Sequence, residues 1–319
     1  MYSRIIGTGR FLPERVLTNL DIEAMVDTSD EWIRTRTGIE KRHIVGDDET
    51  TSDLAYRASL AAMEMAGTGP QDIDMIVVST CTPDLVFPNV ACLIQERLGI
   101  SDGPAFSVEA ACSGFMYAFA IADQFIRTGT VRRALVVGAE TMSRIVDWTD
   151  RETCVLFGDG AGAVVLEVTD EPGVIYSSLG ADGKYKNLLY ADMGISKKAS
   201  SPDASFIRMK GNDVFKVAVR TLERMVDQVM EDNNLQEGEI DWFVPHQANL
   251  RIIKATAKRL DIPMERVVLT VAEHGNTSAA SVPMALDTAV RDDRIKRGDL
   301  LLLEAFGGGF TWGASLVRF

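Results

Sequence analysis

Four short runs of uninterrupted apolar residues constrain this chain more than any other feature. They are Met75-Ile76-Val77-Val78, Ala134-Leu135-Val136-Val137, Trp242-Phe243-Val244 and Leu300-Leu301-Leu302-Leu303. Runs this short, apolar at every position, read as strands buried on both faces, which implies sheets covered by helices. The runs also echo one another. Ile73-Asp74-Met75-Ile76-Val77-Val78 parallels Ile240-Asp241-Trp242-Phe243-Val244; each follows a helical stretch and leads through a loop into another. Residues 133–138 parallel 299–304 in the same way. The pattern predicts an α/β protein of two βα-rich halves, residues 1–170 and 171–319, related by a pseudo-twofold axis. Right-handed crossovers would place helices on both faces of each sheet.

Between these runs the periodicity predicts helices over about 53–66, 89–98, 113–127, 212–232, 248–260 and 279–292. Thr51-Ser52-Asp53 reads as the cap of the first. Further strands are predicted over 3–12, 104–108, 160–168, 267–270 and 312–319. The segment from Asp21 to Arg42 is polar, and Trp32, Arg34, Arg36 and Arg42 are expected to be exposed or half-exposed. Residues 169–210 lose periodicity; 170–173 read as a linker and much of the rest as loop or edge structure.

The net charge of −13 argues against nucleic acid as a partner, because phosphate contacts need clustered Lys and Arg. Any acidic partner would need a local basic patch. The four cysteines, Cys81, Cys92, Cys112 and Cys154, form no Cys-x-x-Cys pair and no zinc-ligand spacing, so no metal is expected. No apolar stretch has the length of a membrane span. The chain opens Met-Tyr-Ser-Arg and runs directly into a strand without an apolar leader. These features predict a cytoplasmic protein with its cysteines as thiols.

The chemistry centres on Val108-Glu109-Ala110-Ala111-Cys112-Ser113-Gly114-Phe115, where a buried strand becomes a helix. Small neighbours leave room beside the sulfur. A thiol at a helix N-terminus faces unpaired N–H groups, which favour its thiolate. Cys112 therefore reads as a nucleophile or, alternatively, as a small buried core residue. Only three histidines occur, His43, His246 and His274. His246 follows a buried strand in Pro245-His246-Gln247-Ala248-Asn249, and His274-Gly275-Asn276-Thr277-Ser278 precedes a helix. Sites in open α/β sheets form beyond the carboxyl ends of strands, where Cys112, His246 and the Asn276 loop are all placed to meet. A cysteine, a histidine and an amide recur in acyl chemistry. His274 reads as a loop brace. Gly158-Asp159-Gly160-Ala161-Gly162 lacks dinucleotide-loop spacing and precedes a strand, so it is rejected as a cofactor motif.

Together Glu109–Gly114, Pro245–Asn249, His274–Ser281 and Glu304-Ala305-Phe306-Gly307-Gly308-Gly309-Phe310-Thr311-Trp312-Gly313 resemble β-ketoacyl-acyl carrier protein synthase III. Gly7-Thr8-Gly9 with Pro13, and Thr35-Arg36-Thr37-Gly38-Ile39, match as well, so the resemblance spans essentially the whole chain. It implies a thiolase-like fold with a layered αβαβα core, and a homodimer. It also implies decarboxylative condensation of a short acyl-coenzyme A primer with malonyl-acyl carrier protein through an acyl-Cys112 intermediate. Coenzyme A is then a substrate, and no permanently bound cofactor is expected. His246 and Asn276 would hold the enolate oxygen. The amides of Cys112 and Gly308 would form the acyl-transfer oxyanion hole.

The resemblance also implies a coenzyme A site. Trp32 and Arg151 would sandwich the adenine and Arg36 would meet phosphate. Thr28 would line the entrance, and Asn212, Phe215, Ala248 and Asn249 the pantetheine tunnel. The Phe87 loop would reach toward a partner subunit's acyl pocket. Arg251, Lys254 and Lys258 fall within about 60° of one another on one helical face. This basic stripe suits an acidic carrier protein. Arg251 is the first choice for docking, with Gln247, Ala248, Asn249, Leu250, Lys216 and Lys258 around it. Rivals are an acyl-coenzyme A-primed ketosynthase of secondary metabolism, a hydroxymethylglutaryl-coenzyme A synthase and a silent acyl-coenzyme A binder. A thiolase would carry a second cysteine in its C-terminal half, whereas all four here precede residue 155.

Overall fold

The computed structural model describes residues 1–192, 194–196 and 206–319. A five-stranded sheet runs in the order Tyr2–Phe11, Asp159–Thr169, Arg133–Thr141, Met75–Ser79, Ala105–Val108. A four-stranded sheet runs Trp242–Pro245, Leu300–Gly307, Thr311–Arg318, Val174–Ala181. The first sheet thus takes its strands from residues 2–169 and the second from residues 174–318.

The uninterrupted apolar runs sit where both faces are covered. Along Met75–Ser79, Met75 and Val77 join the cluster that lies between the two sheets, whereas Ile76 and Val78 join the outer cluster beneath helix Thr51–Ala66. In the second sheet Leu301 and Leu303 face the same central cluster, and Leu300 and Leu302 face outward. Period-two alternation therefore persists, but it sorts apolar residues between two cores rather than between core and solvent. Helices Gly114–Arg127 and Ser281–Arg291 supply the middle layer through Phe115, Phe119, Val282 and Leu286. Helices Gly211–Asp232 and Leu250–Arg259 cover the second sheet through Val217, Leu222, Ile253 and Ala257. The result is the α/β layering expected.

The element boundaries differ from the sequence reading in instructive places. The first long helix begins at Thr51, because Thr50 is the cap: its hydroxyl accepts from Asp53 N while Asp53 returns a bond to Thr50 N. Residues 267–270 make a single bridge to Phe243 rather than a strand. The polar segment holds a helix, Asp30–Thr37, whose left-handed Gly38 cap (φ 80°) faces the side chain of Leu250. Arg42 is fully buried rather than exposed. Its guanidinium donates to the Leu17 carbonyl, Asn19 Oδ1 and the Val155 carbonyl, so it ties three separate segments together. Within 169–210 the edge strand Val174–Ala181 is long, and parts of the expected loop, Met193 and residues 197–205, lie outside the described residues.

Candidate active site

Cys112 lies in a 3-10 turn, Ala111–Ser113, between strand Ala105–Val108 and helix Gly114–Arg127. The glycines around it leave no room for a side chain. A Cβ on Gly114 would sit 2.0 Å from Ser79 Oγ, and one on Gly307 2.7 Å from Cys112 N. The electrostatics overturn one expectation. Burial pushes the thiol up to about 12; hydrogen bonds from Ser278 and from the cysteine's own amide oppose the rise, and the charges of Glu140 and Glu109 add to it. At neutral pH the resting group is a thiol. Desolvation outweighs the donors at the helix mouth.

His246 follows strand Trp242–Pro245 and is buried. Its Nδ1 lies 2.5 Å from Ser281 Oγ, which also accepts from Gln247 N at 3.2 Å. Ser281 Oγ makes no other hydrogen bond among the described residues, so its proton goes to Nδ1 and the ring hydrogen sits on Nε2. Burial holds His246 down at about 3, which keeps the imidazole a neutral donor. Asn276 is clamped by its backbone: its N–H donates to Leu156 O and its carbonyl accepts from Gly158 N. Its Oδ1 accepts from Ser278 N at 2.9 Å, leaving the amide hydrogens for the cavity. His274 stands apart from the cavity, edge-on to His43 at 6.4 Å between centroids, and its buried Nδ1 has no hydrogen-bond partner among the described residues.

Cys112, His246 and Asn276 open onto one cavity of about 860 Å³. At its mouth the Arg151 guanidinium lies 4.3 Å from the Trp32 ring centroid. Arg36, Asn212, Phe215, Ala248 and Asn249 line the walls. Three expected residues do not. Gly307 rather than Gly308 forms the wall beside Cys112; Gly308 lies near Ala111 and the Leu189 carbonyl. Thr28 is half-buried away from the cavity, its hydroxyl without a partner among the described residues. Phe87 is 83% exposed and adds nothing to the cavity of its own chain.

The basic stripe also divides. Arg251, Lys216, Lys254 and Lys258 are exposed, and Arg251 lies over the Phe215 ring. Gln247, expected on the docking surface, does not reach it. It is fully buried, its Nε2 donating to Pro245 O and Val268 O and its Oε1 accepting from Thr270 N and Val271 N. Leu250 packs on Gly38, and Asn249 Nδ2 donates to Arg36 O. Sequence reasoning missed Ser278, Ser281 and Glu140. The first two stand within or beside the quoted loop, but nothing local marks Glu140. Among the described residues no cluster of His, Cys, Asp and Glu could hold a metal ion, and no helix is long and apolar enough to cross a membrane.

Comparison with known proteins bears on this geometry. Residues 106–183 match the family model described as 3-oxoacyl-[acyl-carrier-protein] synthase III, and residues 230–319 match the model of its C-terminal part. A β-ketoacyl-[acyl-carrier-protein] synthase III of Thioalkalivibrio sulfidiphilus is 62% identical over all of this chain and 99% of its own. The crystal structure of the 3-oxoacyl-[acyl-carrier-protein] synthase III of Aquifex aeolicus superposes with a TM-score of 0.94 at 47% identity, over 99% of this chain and all of that one. The priming β-ketosynthase of the R1128 polyketide pathway superposes with a TM-score of 0.95 at 36% identity, over 99% and 96%.

Proposed function

This chain belongs to the β-ketoacyl-acyl carrier protein synthase III family, condensing acyltransferases of fatty acid biosynthesis with a thiolase fold, and from that premise we propose how its cavity works. An acyl-coenzyme A enters with its adenine between Trp32 and Arg151 and its phosphates near Arg36. The pantetheine passes Asn212, Phe215, Ala248 and Asn249 to bring the thioester to Cys112. The sulfur attacks the carbonyl carbon, and the oxyanion receives the Cys112 amide and an amide of the glycine run beside it. Coenzyme A leaves and acyl-Cys112 remains.

Malonyl-acyl carrier protein then docks on the exposed face carrying Arg251, Lys216 and Lys258. Loss of CO2 leaves its electron pair in an enolate. The oxygen of that enolate takes hydrogen bonds from His246 Nε2 and Asn276 Nδ2. Neither donor carries a charge, which suits a site closed off from water. The enolate carbon attacks the acyl-cysteine to give 3-oxoacyl-acyl carrier protein. No step calls for a resident cofactor. A cytoplasmic homodimer, with Phe87 of each chain meeting the other's acyl pocket, completes the proposal.

The observation that carries this reading is the single cavity shared by Cys112, His246 and Asn276, with the Trp32–Arg151 pair at its mouth. Mixing the protein with acetyl-coenzyme A should give an acetyl adduct that peptide mass spectrometry places on Cys112. An unmodified protein would point to a silent binder. The likeness to a polyketide priming ketosynthase favours a second reading, the same chemistry in secondary metabolism; a panel of acyl primers assayed with malonyl-acyl carrier protein separates the two.

Docking has its own test. Arg251→Glu is expected to raise KM for malonyl-acyl carrier protein by about tenfold or more, through lost charge complementarity. Acetyl transfer from acetyl-coenzyme A should fall by less, because Arg251 meets the cavity wall beside Phe215. Equal loss of both activities would remove Arg251 from the docking surface.

A further inference from the structure

The thiol proton of Cys112 needs an acceptor, and His246 is not placed to be one. With Nδ1 occupied by the Ser281 hydroxyl and Nε2 carrying the ring hydrogen, the imidazole has no free lone pair on the cavity side. The sulfur has another neighbour. The turn carrying Cys112 packs against the turn Ser278–Ala280, and the Ser278 hydroxyl is the side-chain group that stabilises the Cys112 thiolate. Ser278 Oγ also donates to Glu140 Oε1 at 3.1 Å. A hydroxyl has one proton, so if it goes to Glu140, the thiol is the donor in the bond between Cys112 and Ser278.

Glu140 is fully buried on strand Arg133–Thr141. It is surrounded by donors: Thr80 Oγ1 at 3.1 Å, Thr82 Oγ1 at 2.5 Å, Cys81 N at 3.1 Å, Cys81 Sγ at 3.3 Å and Ser278 Oγ. Such a ring suits an ionised, acceptor-only carboxylate. Burial nevertheless raises it from its ordinary value, so it is a better base than an exposed glutamate. The titratable groups around it are Cys81 and Cys112, with Glu109 exposed beyond them and His246 neutral across the cavity. Asp159 on the adjacent strand is engaged elsewhere, by Val45 N and Ser143.

We infer that Glu140 is the proton acceptor for Cys112, acting through Ser278. The inference rests on the acyl-transfer reading above. As the sulfur attacks the thioester, the S–H bond breaks and its proton passes to Ser278 Oγ, while the Ser278 proton passes to Glu140 Oε1. The sulfur electron pair forms the bond to the acyl carbon. The carbon–sulfur bond to coenzyme A breaks, with its electrons on the departing sulfur. The proton returns from Glu140 through Ser278 to that sulfur, so coenzyme A leaves as a thiol and Glu140 is ionised again. The cluster carries one negative charge throughout. It moves from carboxylate to sulfur, and no second charge is created in the buried site. Glu140 is a positioning and relay residue; it does not touch substrate.

The test measures two rates on Cys112 against pH: acetylation by acetyl-coenzyme A and alkylation by iodoacetamide, both read by peptide mass spectrometry so that Cys81 is resolved separately. Glu140→Gln should slow acetylation by about 10²-fold near neutrality. The wild-type rates should be flat between about pH 7 and 9, whereas the variant's should climb roughly tenfold per pH unit as hydroxide replaces the relay. Ser278→Ala should reproduce both effects and add little in combination with Glu140→Gln. Glu140→Asp, which keeps the carboxylate, should restore the flat profile. If Glu140→Gln does not fold, Ser278→Ala carries the test alone. Profiles superimposable on wild type in the folded variants overturn the relay. Absence of any acetyl adduct on the wild-type protein overturns the proposed function instead, and the alkylation profiles still report on Glu140.

Discussion

Cys112→Ser is expected to lower condensation by at least about 10⁴-fold and to leave no detectable acyl-enzyme, while coenzyme A binding persists. The two side chains are nearly the same size, and the turn Ala111–Ser113 with its tight contact to Gly307 should accept the change. What changes is the nucleophile. Burial already pushes the thiol up to about 12, and a hydroxyl in the same place is far less acidic. Activation that suffices for a thiol then falls short for an alcohol. Trp32 and Arg151 stack at the cavity mouth, away from the substitution, and should still hold the adenine. Intact-protein mass spectrometry with acetyl-coenzyme A measures the first effect and equilibrium binding of coenzyme A the second. Condensation within tenfold of wild type would remove Cys112 from the nucleophile's role.

That thiol also marks where sequence reasoning stops. A short apolar strand, small residues and a helix announce a reactive cysteine, and the turn is where the pattern puts it. The sign of its acidity is not a local property. It is set first by burial and then by Ser278, which opposes the rise, and Glu140, which adds to it; these two arrive from separate elements more than 160 and 28 positions away. Arg42 and Gln247 teach the same lesson. Their neighbours in sequence are polar and read as surface, yet partners at Leu17, Asn19 and Val155 hold both terminal nitrogens of Arg42, and Pro245, Val268, Thr270 and Val271 hold the Gln247 amide. Continuous apolar strands announce themselves because any partner serves to bury them. A buried charge or amide is legible only once its particular acceptors are known.

Ser281 and Asn276 lie between these extremes. Asn276 stands in a loop whose composition points to function and Ser281 opens the helix after it, but their orientation comes from the fold. The 3-10 turn Ser278–Ala280 brings Ser278 N onto Asn276 Oδ1, and the helix that follows brings Ser281 beneath His246. The site is therefore built with its donors already turned toward the cavity, which is what stabilising a developing oxyanion requires.

Asn276→Asp tests that orientation most sharply. The change is isosteric, and the backbone bonds to Leu156 and Gly158 do not depend on the side chain. The carboxylate keeps one oxygen on Ser278 N and turns the other, an acceptor, to where the enolate oxygen needs a donor. A hydrogen bond is lost and a like charge is added in a water-poor site. Condensation is expected to fall by about 10³-fold or more, beyond the 10²–10³ typical of deleting a single oxyanion donor. Acetylation of Cys112 precedes enolate formation and should proceed within a few fold of wild type, so acetyl-enzyme accumulates and waits. The pH dependence follows in sign: burial raises an aspartate here above its ordinary value, and its protonated form regains an O–H donor. Residual condensation by the variant should therefore rise as pH falls, while the wild type, whose His246 is held down at about 3, shows no titration of His246 near neutrality. Equal loss of acetylation and condensation would place Asn276 in the first half-reaction instead of the second.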